Sequence, residues 1–161
     1  MSVGRFQCGV AAIIYHAETR TYLLLRRATH RDFGGGDWEG VTGRVNQGEN
    51  FEAALHREVA EELGVRVQIE FIIGTSHFYR GDERPENELL AVKYACLIEE
   101  RDQIVMSAEH SEHRWLTAEQ VYALLPPSHW LHQTIRRAEY TRPLLPAELI
   151  DLHSREGFEG G

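Results

Sequence analysis

The chain has 161 residues, 42% of them hydrophobic, which fits one folded domain over residues 1–161 with a core of its own. Its formal net charge of −8 argues against long DNA or RNA as a partner, because nucleic-acid backbones are held by clustered Lys and Arg. The sequence has no apolar run of about 18 residues and no signal-peptide layout, so we expect a cytoplasmic protein that does not bind membranes. Whether it is a monomer or a homodimer stays open.

Up to residue 45, the sequence predicts strands joined by loops. Residues 5–15 are almost continuously apolar and predict a strand buried on both faces, and residues 22–27 predict the next strand. Residues 29–37 contain three consecutive glycines and form either a loop that opens over a ligand or a plain hairpin connection. Residues 38–45 then return to the sheet.

Residues 50–63 predict a helix. They contain no Pro or Gly, are rich in Ala, Leu and Glu, and are followed by Gly64 at a C-cap position. On a helical wheel, Glu58 and Glu62 fall on the edge of the apolar face, and Glu61 lies beside them. The residues that define this apolar face are Phe51, Ala54, Leu55, Val59 and Leu63.

The carboxylates of Glu58, Glu61 and Glu62 need a compensating cation, because they repel one another and partial burial makes each charge more costly. Their i, i+3, i+4 spacing predicts that they aim at a common point. Oxygen ligands favour a hard divalent ion such as Mg²⁺ or Mn²⁺. The preceding residues 43–49 include two glycines, whose bare backbone can approach the same ion or an anionic ligand.

The order of residues over 43–65 resembles the Nudix box. Five residues separate Gly43 from Glu49, and seven more lead to the run Arg57-Glu58-Val59-Ala60-Glu61-Glu62-Leu63-Gly64-Val65. The resemblance implies an α/β fold of the Nudix type, an α/β/α sandwich with a mixed β-sheet between helices. It also implies a Mg²⁺ or Mn²⁺ site on the box helix and hydrolysis of a nucleoside diphosphate linked to another moiety. Gly43, Glu49, Arg57 and Gly64 would be structural, with Arg57 paired to Glu49.

The same resemblance assigns metal ligands. Glu58 and Glu62 match the main ligands of the family, Glu61 matches an assisting one, and the backbone carbonyl of Thr42 often joins them. These four positions follow from the alignment of the box itself.

A further acid of the family usually reaches the metals from the loop before a strand that has Trp near its start. Glu109 and Glu112 both precede Trp115, and we favour Glu109; the alternative is that both are solvated loop acids. The base that takes the proton of the attacking water is assigned to different acids in different members. Glu58, Glu61 and Glu109 are therefore all candidates for this catalytic role.

The C-terminal half continues with strands and ends in helices. Residues 65–80 and 89–99 predict antiparallel strands, and residues 104–106 a short one. A C-terminal helical segment is expected over about 117–154, opened by a Thr117–Gln120 capping box. The expected helices cover residues 117–125, 129–140 with Ser128 as cap, and 147–153, before a frayed Gly-rich end.

Substrate choice depends on residues outside the box. Most family members enter the box with Trp-x-x-Pro-Gly-Gly, whereas this chain has Trp38-Glu39-Gly40-Val41-Thr42-Gly43. Together with Arg26-Arg27 and the run 109–116, this sequence resembles the branch that hydrolyses dihydroneopterin triphosphate and dATP. Carried over, the resemblance makes Arg5, Arg26 and Thr42 substrate contacts. Trp38, Phe78 and Tyr79 are candidates for stacking on a ring, with core packing at the sheet edge as the alternative.

The expected reaction is therefore metal-dependent cleavage of a nucleoside or pterin triphosphate between its α and β phosphates, giving a monophosphate and pyrophosphate. Its base or pterin is expected to lie toward Trp38 and the loop of residues 34–36. Hydrolysis of ADP-ribose, sugar nucleotides or dinucleoside polyphosphates is one alternative. A Nudix-type domain that senses a nucleotide without cleaving it is another.

Overall fold

The computed structural model describes residues 4–31 and 33–160. The strands are β1 (Gln7–His16), β2 (Thr21–Arg27), β3 (Trp38–Glu39), β4 (Val41–Arg44), β5 (Gln68–Tyr79), β6 (Glu88–Leu97) and β7 (His110–Leu116). The α-helices are α1 (Phe51–Leu63), α2 (Ala118–Leu124), α3 (Trp130–Thr141) and α4 (Ala147–Glu156). Within the two described ranges, every helix is too short or too polar to span a lipid bilayer.

The seven strands of the described residues form one mixed sheet, in which β1 and β3 pair with one side of β2 and β7 pairs with its other side, while β6 and then β5 follow beyond β1. β1 runs parallel to β6, and the other pairings are antiparallel. β1 pairs with β2 only around His16 and with β4 around Gly9, so β4 lies beside the middle of the sheet. The box helix α1 follows β4 and is therefore placed over the centre of the sheet.

Helices cover both faces of the sheet. Leu23 and Leu25 of β2 belong to the core beneath α1, to which the helix contributes Ala54, Leu55, Val59 and Leu63. Tyr22 and Leu24, which alternate with them along the strand, belong to the core beneath α2 and α3. The expected α/β/α arrangement with a mixed sheet is confirmed.

Helix α1 ends at the predicted Gly64 cap and begins one residue later than predicted, because Asn50 is its N-cap. The Asn50 side chain accepts a hydrogen bond from the Ala53 amide at 2.8 Å, and Gly64 is left-handed with φ 67°. The carboxylate of Glu159 accepts from the first two amides of the helix at 3.0 and 3.1 Å, which satisfies donors that have no partner inside a helix. The C-terminal tail, expected to be frayed, therefore holds the start of the box helix.

Two local predictions are wrong. Residues 104–106 form no strand, because the amides of Val105 and Ser107 donate to the last carbonyls of α1, those of Leu63 and Glu62, at 2.9 and 2.8 Å. The cap of α3 is His129, whose ring nitrogen accepts from the Leu131 amide at 3.2 Å; Ser128 lies one residue too early. The other predicted helices and strands are present with ends shifted by a few residues.

Candidate active site

Arg57 joins the two halves of the box. Its Nε and Nη2 donate to the two carboxylate oxygens of Glu49 at 2.8 and 2.9 Å, and Nη2 also donates to the Arg44 carbonyl at 2.8 Å. Hydrogen bonding by this guanidinium, and then by the Asn46 amide, lowers the pKa of Glu49 to about 2. The expected Arg57–Glu49 pair is present, and it fixes the loop between β4 and α1.

Gly43 allows α1 to approach the sheet closely. It pairs with Val10 at the centre of the sheet, and a Cβ added at Gly43 would overlap the carboxyl end of Glu58. Glycine is thus required so that the Glu58 side chain can lie against β4.

Glu62 is the most deeply buried acid of α1, with 5% of its surface exposed, and its Oε2 has no hydrogen-bond partner among the described residues. Burial, and then the negative charges of Glu39, Glu58 and Glu109, raise its pKa to about 9. A carboxylate in these surroundings takes up either a proton or a cation.

Glu39 on β3 lies beside Glu62 and was not predicted as a site residue. Its carboxylate accepts from Arg27 Nη1 at 2.9 and 3.1 Å and from Thr42 Oγ1 at 3.1 Å. The buried His110 places Nε2 3.0 Å from Glu39 Oε1 and Nδ1 3.8 Å from Glu62 Oε2, so its ring lies between the two acids. We call Glu39, Glu62 and His110 the buried acid cluster.

Sequence reasoning missed Glu39, Arg27 and His110 because their meeting depends on strand register. Glu39 is opposite Leu25, and Arg27 is opposite His110 in β7. The available signal was Arg27, a charged residue at the end of the largely buried strand β2; His110 begins the largely exposed strand β7, where the sequence carries no such signal.

The three box acids do not converge on one point, contrary to the prediction from their spacing. Glu58 Oε1 accepts from Arg57 Nη1 at 2.7 Å, and Glu61, whose side chain is 60% exposed, lies 3.4 Å from the same nitrogen. Among the described residues, no three Asp, Glu, His or Cys side chains are grouped closely enough to hold a metal ion. Arg57 attracts Glu58 and Glu61 toward itself, whereas Glu62 turns inward toward His110.

Glu109 and Glu112 occupy different surroundings. Glu109, at the start of β7, adds to the negative charge around Glu62 and forms a salt bridge with Arg31 at 3.0 Å. Glu112 lies opposite Arg26 within the strand and contacts Arg114 Nε at 2.6 Å. The structure therefore brings Glu109 to the buried acid cluster and directs Glu112 to an arginine pair.

Arg26 and Trp38 lie away from this cluster, on the sheet face that α2 and α3 cover. Trp38 is 9% exposed and packs in the core of that face, as in the alternative given for it above. The guanidinium groups of Arg26 and Arg114 lie 5.9 and 4.9 Å from its ring centroid.

Arg5 precedes β1 and lies near Glu86 in the β5–β6 connection. Among Arg5, Arg26, Trp38 and Thr42, only Thr42 touches the buried acid cluster, through its hydrogen bond to Glu39.

A group of arginines adjoins the acids. Burial lowers the pKa of Arg80, at the end of β5, and the positive charges of Arg44, Arg27 and Arg31 lower it further. Arginines from four parts of the chain thus lie close enough to repel one another. Such a concentration of positive charge beside buried carboxylates suits a polyphosphate held together with metal ions.

The fold and this site together define an enzyme of the α/β class built to handle anionic substrates. Residues 5–138 match the family model of the NUDIX domain, which is most of the chain. The chain therefore belongs to the NUDIX domain family, and the expectation of a hydrolase of this family is confirmed.

The chain is similar to proteins with several different names. A dihydroneopterin triphosphate diphosphatase of Escherichia coli K12 is 27% identical over 129 residues, which cover 71% of this chain and 81% of that protein. An octanoyltransferase of Myxococcus xanthus is 30% identical over 116 residues, 72% of this chain but only 31% of that protein. The crystal structure of a MutT protein from Methanosarcina mazei has a TM-score of 0.71 at 24% identity, covering 88% of this chain and 99% of that one.

Changing Gly43 to Ala tests the contact between β4 and Glu58. We expect hydrolysis to fall about 100-fold, because the new Cβ pushes the Glu58 carboxylate out of position and small misplacements cost this much. The stability should change by only about 1 kcal/mol, since the displaced atoms are the flexible end of one side chain. Steady-state kinetics and urea unfolding measure both. Gly160→Ala, where a Cβ meets nothing, is the matched control, and unchanged kinetics in Gly43→Ala would refute the role.

Proposed function

We propose that the chain catalyses Mg²⁺- or Mn²⁺-dependent hydrolysis of a nucleoside or pterin triphosphate, producing a monophosphate and pyrophosphate. The observation that carries this proposal is the buried Glu62, whose Oε2 lacks a partner while three other carboxylates surround it. The relative of E. coli named dihydroneopterin triphosphate diphosphatase supports the substrate class.

The residues present fit a hard divalent ion, which members of this family generally use. The oxygen atoms around the site belong to carboxylates, which hard ions prefer as ligands. Three acids lie near Glu62, and the single positive charge of Arg27 cannot neutralise them all. Glu58 and Glu62 would be the main ligands, assisted by Glu61, Glu109 and the carbonyl of Thr42. When bound, the ion supplies positive charge against the phosphates and acidifies water for attack.

The protein's own residues supply orientation and further charge. Arg31, Arg44 and Arg80 would hold phosphate oxygens, because they lie beside the acids and repel one another without an anion between them. Glu58, Glu61 and Glu109 stay the candidates for the base. Glu109, which pairs with Arg31 and is partly exposed, would accept a proton from water.

Hydrolysis in ¹⁸O-labelled water decides the bond and the substrate. The panel is dihydroneopterin triphosphate, dATP, ADP-ribose, diadenosine tetraphosphate and a UDP-sugar, each with Mg²⁺ and with EDTA. We expect label in the monophosphate or the pyrophosphate of a triphosphate, none in orthophosphate, and no reaction in EDTA. Label in orthophosphate would contradict cleavage between the α and β phosphates, and a clear preference for ADP-ribose would contradict the substrate class.

Nucleotide sensing without cleavage is the second candidate, because Arg57 holds two of the box acids apart from Glu62. This function predicts saturable binding of a nucleotide with Mg²⁺ and no phosphate-containing product after overnight incubation with the same panel. Any turnover that Mg²⁺ supports and EDTA abolishes rejects it.

A further inference from the structure

Hydrogen bonds hold residues 28–31 and 33–37, in the connection between β2 and β3, beside the buried acid cluster. Its ends are closed by hydrogen bonds from the Arg27 amide to the Asp37 carbonyl at 3.0 Å and from the Gly36 amide to the Arg27 carbonyl at 2.9 Å. The Ala28 amide donates to the Glu109 carbonyl at 2.9 Å, and the Arg31 side chain pairs with the Glu109 carboxylate. Residues carried by this loop are thus held near the proposed reaction site.

Phe33 extends from this loop to β5. Its ring is nearly parallel to that of Phe78, at 17°, with the centroids 6.4 Å apart. The loop connects β2 to β3, which lies on the same side of β2 as β1, whereas β5 forms an edge of the sheet. The two rings therefore join parts of the chain that β1 and β6 separate in the sheet.

Both rings stay partly exposed although they contact each other: Phe33 is 41% exposed and Phe78 38%. Leaving two aromatic side chains partly in water costs hydrophobic free energy that core packing would have gained. Ring faces that stay accessible beside a polyphosphate site are suited to stacking on another planar ring, which is attractive for any base.

Arg80 links these rings to the phosphate side of the site. Its guanidinium carbon lies 5.4 Å from the Phe33 ring centroid. Within residues 4–31 and 33–160, Arg80 forms no salt bridge, and the charges that bear on it most are those of other arginines. A cation in these surroundings calls for an anionic ligand.

We propose that Phe33 and Phe78 stack on the planar ring of the substrate while Arg80 contacts its phosphates, so that the site selects purine or pterin triphosphates over triphosphates without a ring. This inference rests on the proposed function. It places the ring at Phe78, one of the three stacking candidates that the sequence offered, and not at Trp38, whose indole is enclosed in the core.

The test compares dATP with deoxyribose 5-triphosphate, which lacks the base. We expect Phe33→Leu and Phe78→Leu each to lower kcat/KM for dATP about 10-fold, mainly through KM, and to change it less than about 2-fold for the substrate without a base. Phe33→Trp should retain the preference for dATP, because it restores a stacking face. Tyr140→Leu removes an exposed aromatic ring on α3 and is the matched control.

Equal losses for both substrates would mean that the rings only position the loop, and unchanged kinetics would mean that they do not contact the substrate; either result overturns the proposal. A binding measurement tests the stacking of the substrate ring independently of the proposed reaction. The ¹⁹F resonance of 4-fluorophenylalanine at position 33 should shift with α,β-methylene-dATP but not with methylene diphosphonate. If the wild-type protein cleaves neither triphosphate, the proposed function fails, and this titration still decides the ring site: no shift with the nucleotide overturns it.

Discussion

Glu62→Gln is expected to lower kcat/KM by about 3 to 5 kcal/mol of transition-state stabilisation, or roughly 10²- to 10⁴-fold, while the protein stays folded. The amide keeps the size of the carboxylate but loses the negative charge that the proposed metal site needs. Single-turnover kinetics across a Mg²⁺ titration measure the loss. Saturating Mg²⁺ should not restore the rate, and full wild-type activity in EDTA would contradict a metal role for Glu62.

The same variant is expected to be more stable than the wild-type protein at alkaline pH in EDTA. Burial and the neighbouring acids raise the Glu62 pKa in the folded protein to about 9, above the ordinary value of 4.5. The folded state thus holds a proton that the unfolded state releases, so the contribution of Glu62 to stability is fully present below about pH 4.5 and is lost as pH rises to about 9.

Urea unfolding in EDTA at pH 5.5 and 8.5 measures this effect. The wild-type protein should lose stability relative to Glu62→Gln between these values, by on the order of 2 to 4 kcal/mol. Glu61→Gln is the matched control, because that side chain is largely exposed and its stability difference should be near zero at both pH values. A parallel pH dependence in wild type and Glu62→Gln would show that Glu62 is ionised at little cost. The Glu62 carboxylate is thus expected to be needed for activity but to lower the free energy of unfolding at alkaline pH.

Short-range signals made the box helix predictable. Gly64 and the Arg57–Glu49 pair follow from capping preferences and from residue spacing within a few turns of one element, and Asn50, predicted as the first helical residue, is the N-cap. The capping box of Thr117 and Gln120 is present for the same reason. Each of these contacts joins residues whose separation along the chain already determines their geometry.

The surroundings of the acids could not be predicted in this way. Glu39 meets His110 across 71 residues, through two strand pairings whose register is absent from either local sequence. The spacing rule for Glu58, Glu61 and Glu62 placed them on one helix face but did not include Arg57, which separates two of them from the third. Trp38 likewise was assigned by its distance from the box, while strand alternation placed it on the other face of the sheet.

The C-terminal tail shows the same limit. Phe158 packs on His153 and Tyr94, with ring centroids 4.2 and 6.0 Å apart, and its amide donates to Glu52. Glu159 accepts from the first amides of α1. A Gly-rich end carries no local pattern that indicates such contacts, since its hydrogen bonds to α1 join residues more than 100 positions apart. The positioning of the box helix thus depends on a segment whose composition predicts fraying.

Arg142, which follows α3, is the residue whose loss should destabilise the fold most. Its Nε and Nη2 donate to the buried Glu70 carboxylate at 3.2 and 2.9 Å, and its Nη1 donates to the Tyr22 hydroxyl at 2.7 Å. The guanidinium carbon also lies 4.0 Å from the Tyr15 ring centroid. One side chain thus satisfies a buried acid and a buried phenol while joining the helical layer to the sheet.

Arg142→Met is expected to lower the free energy of unfolding by about 3 to 5 kcal/mol, because it keeps much of the apolar stem but leaves the Glu70 charge buried without a cation. Urea unfolding measures the loss, with Arg136→Met on the exposed face of α3 as the matched control. Adding Glu70→Leu to Arg142→Met should recover a large part of the loss, since an apolar residue needs no partner there. A double variant no more stable than Arg142→Met would mean that Arg142 acts through its stacking on Tyr15 and its bond to Tyr22, and not through the charge of Glu70.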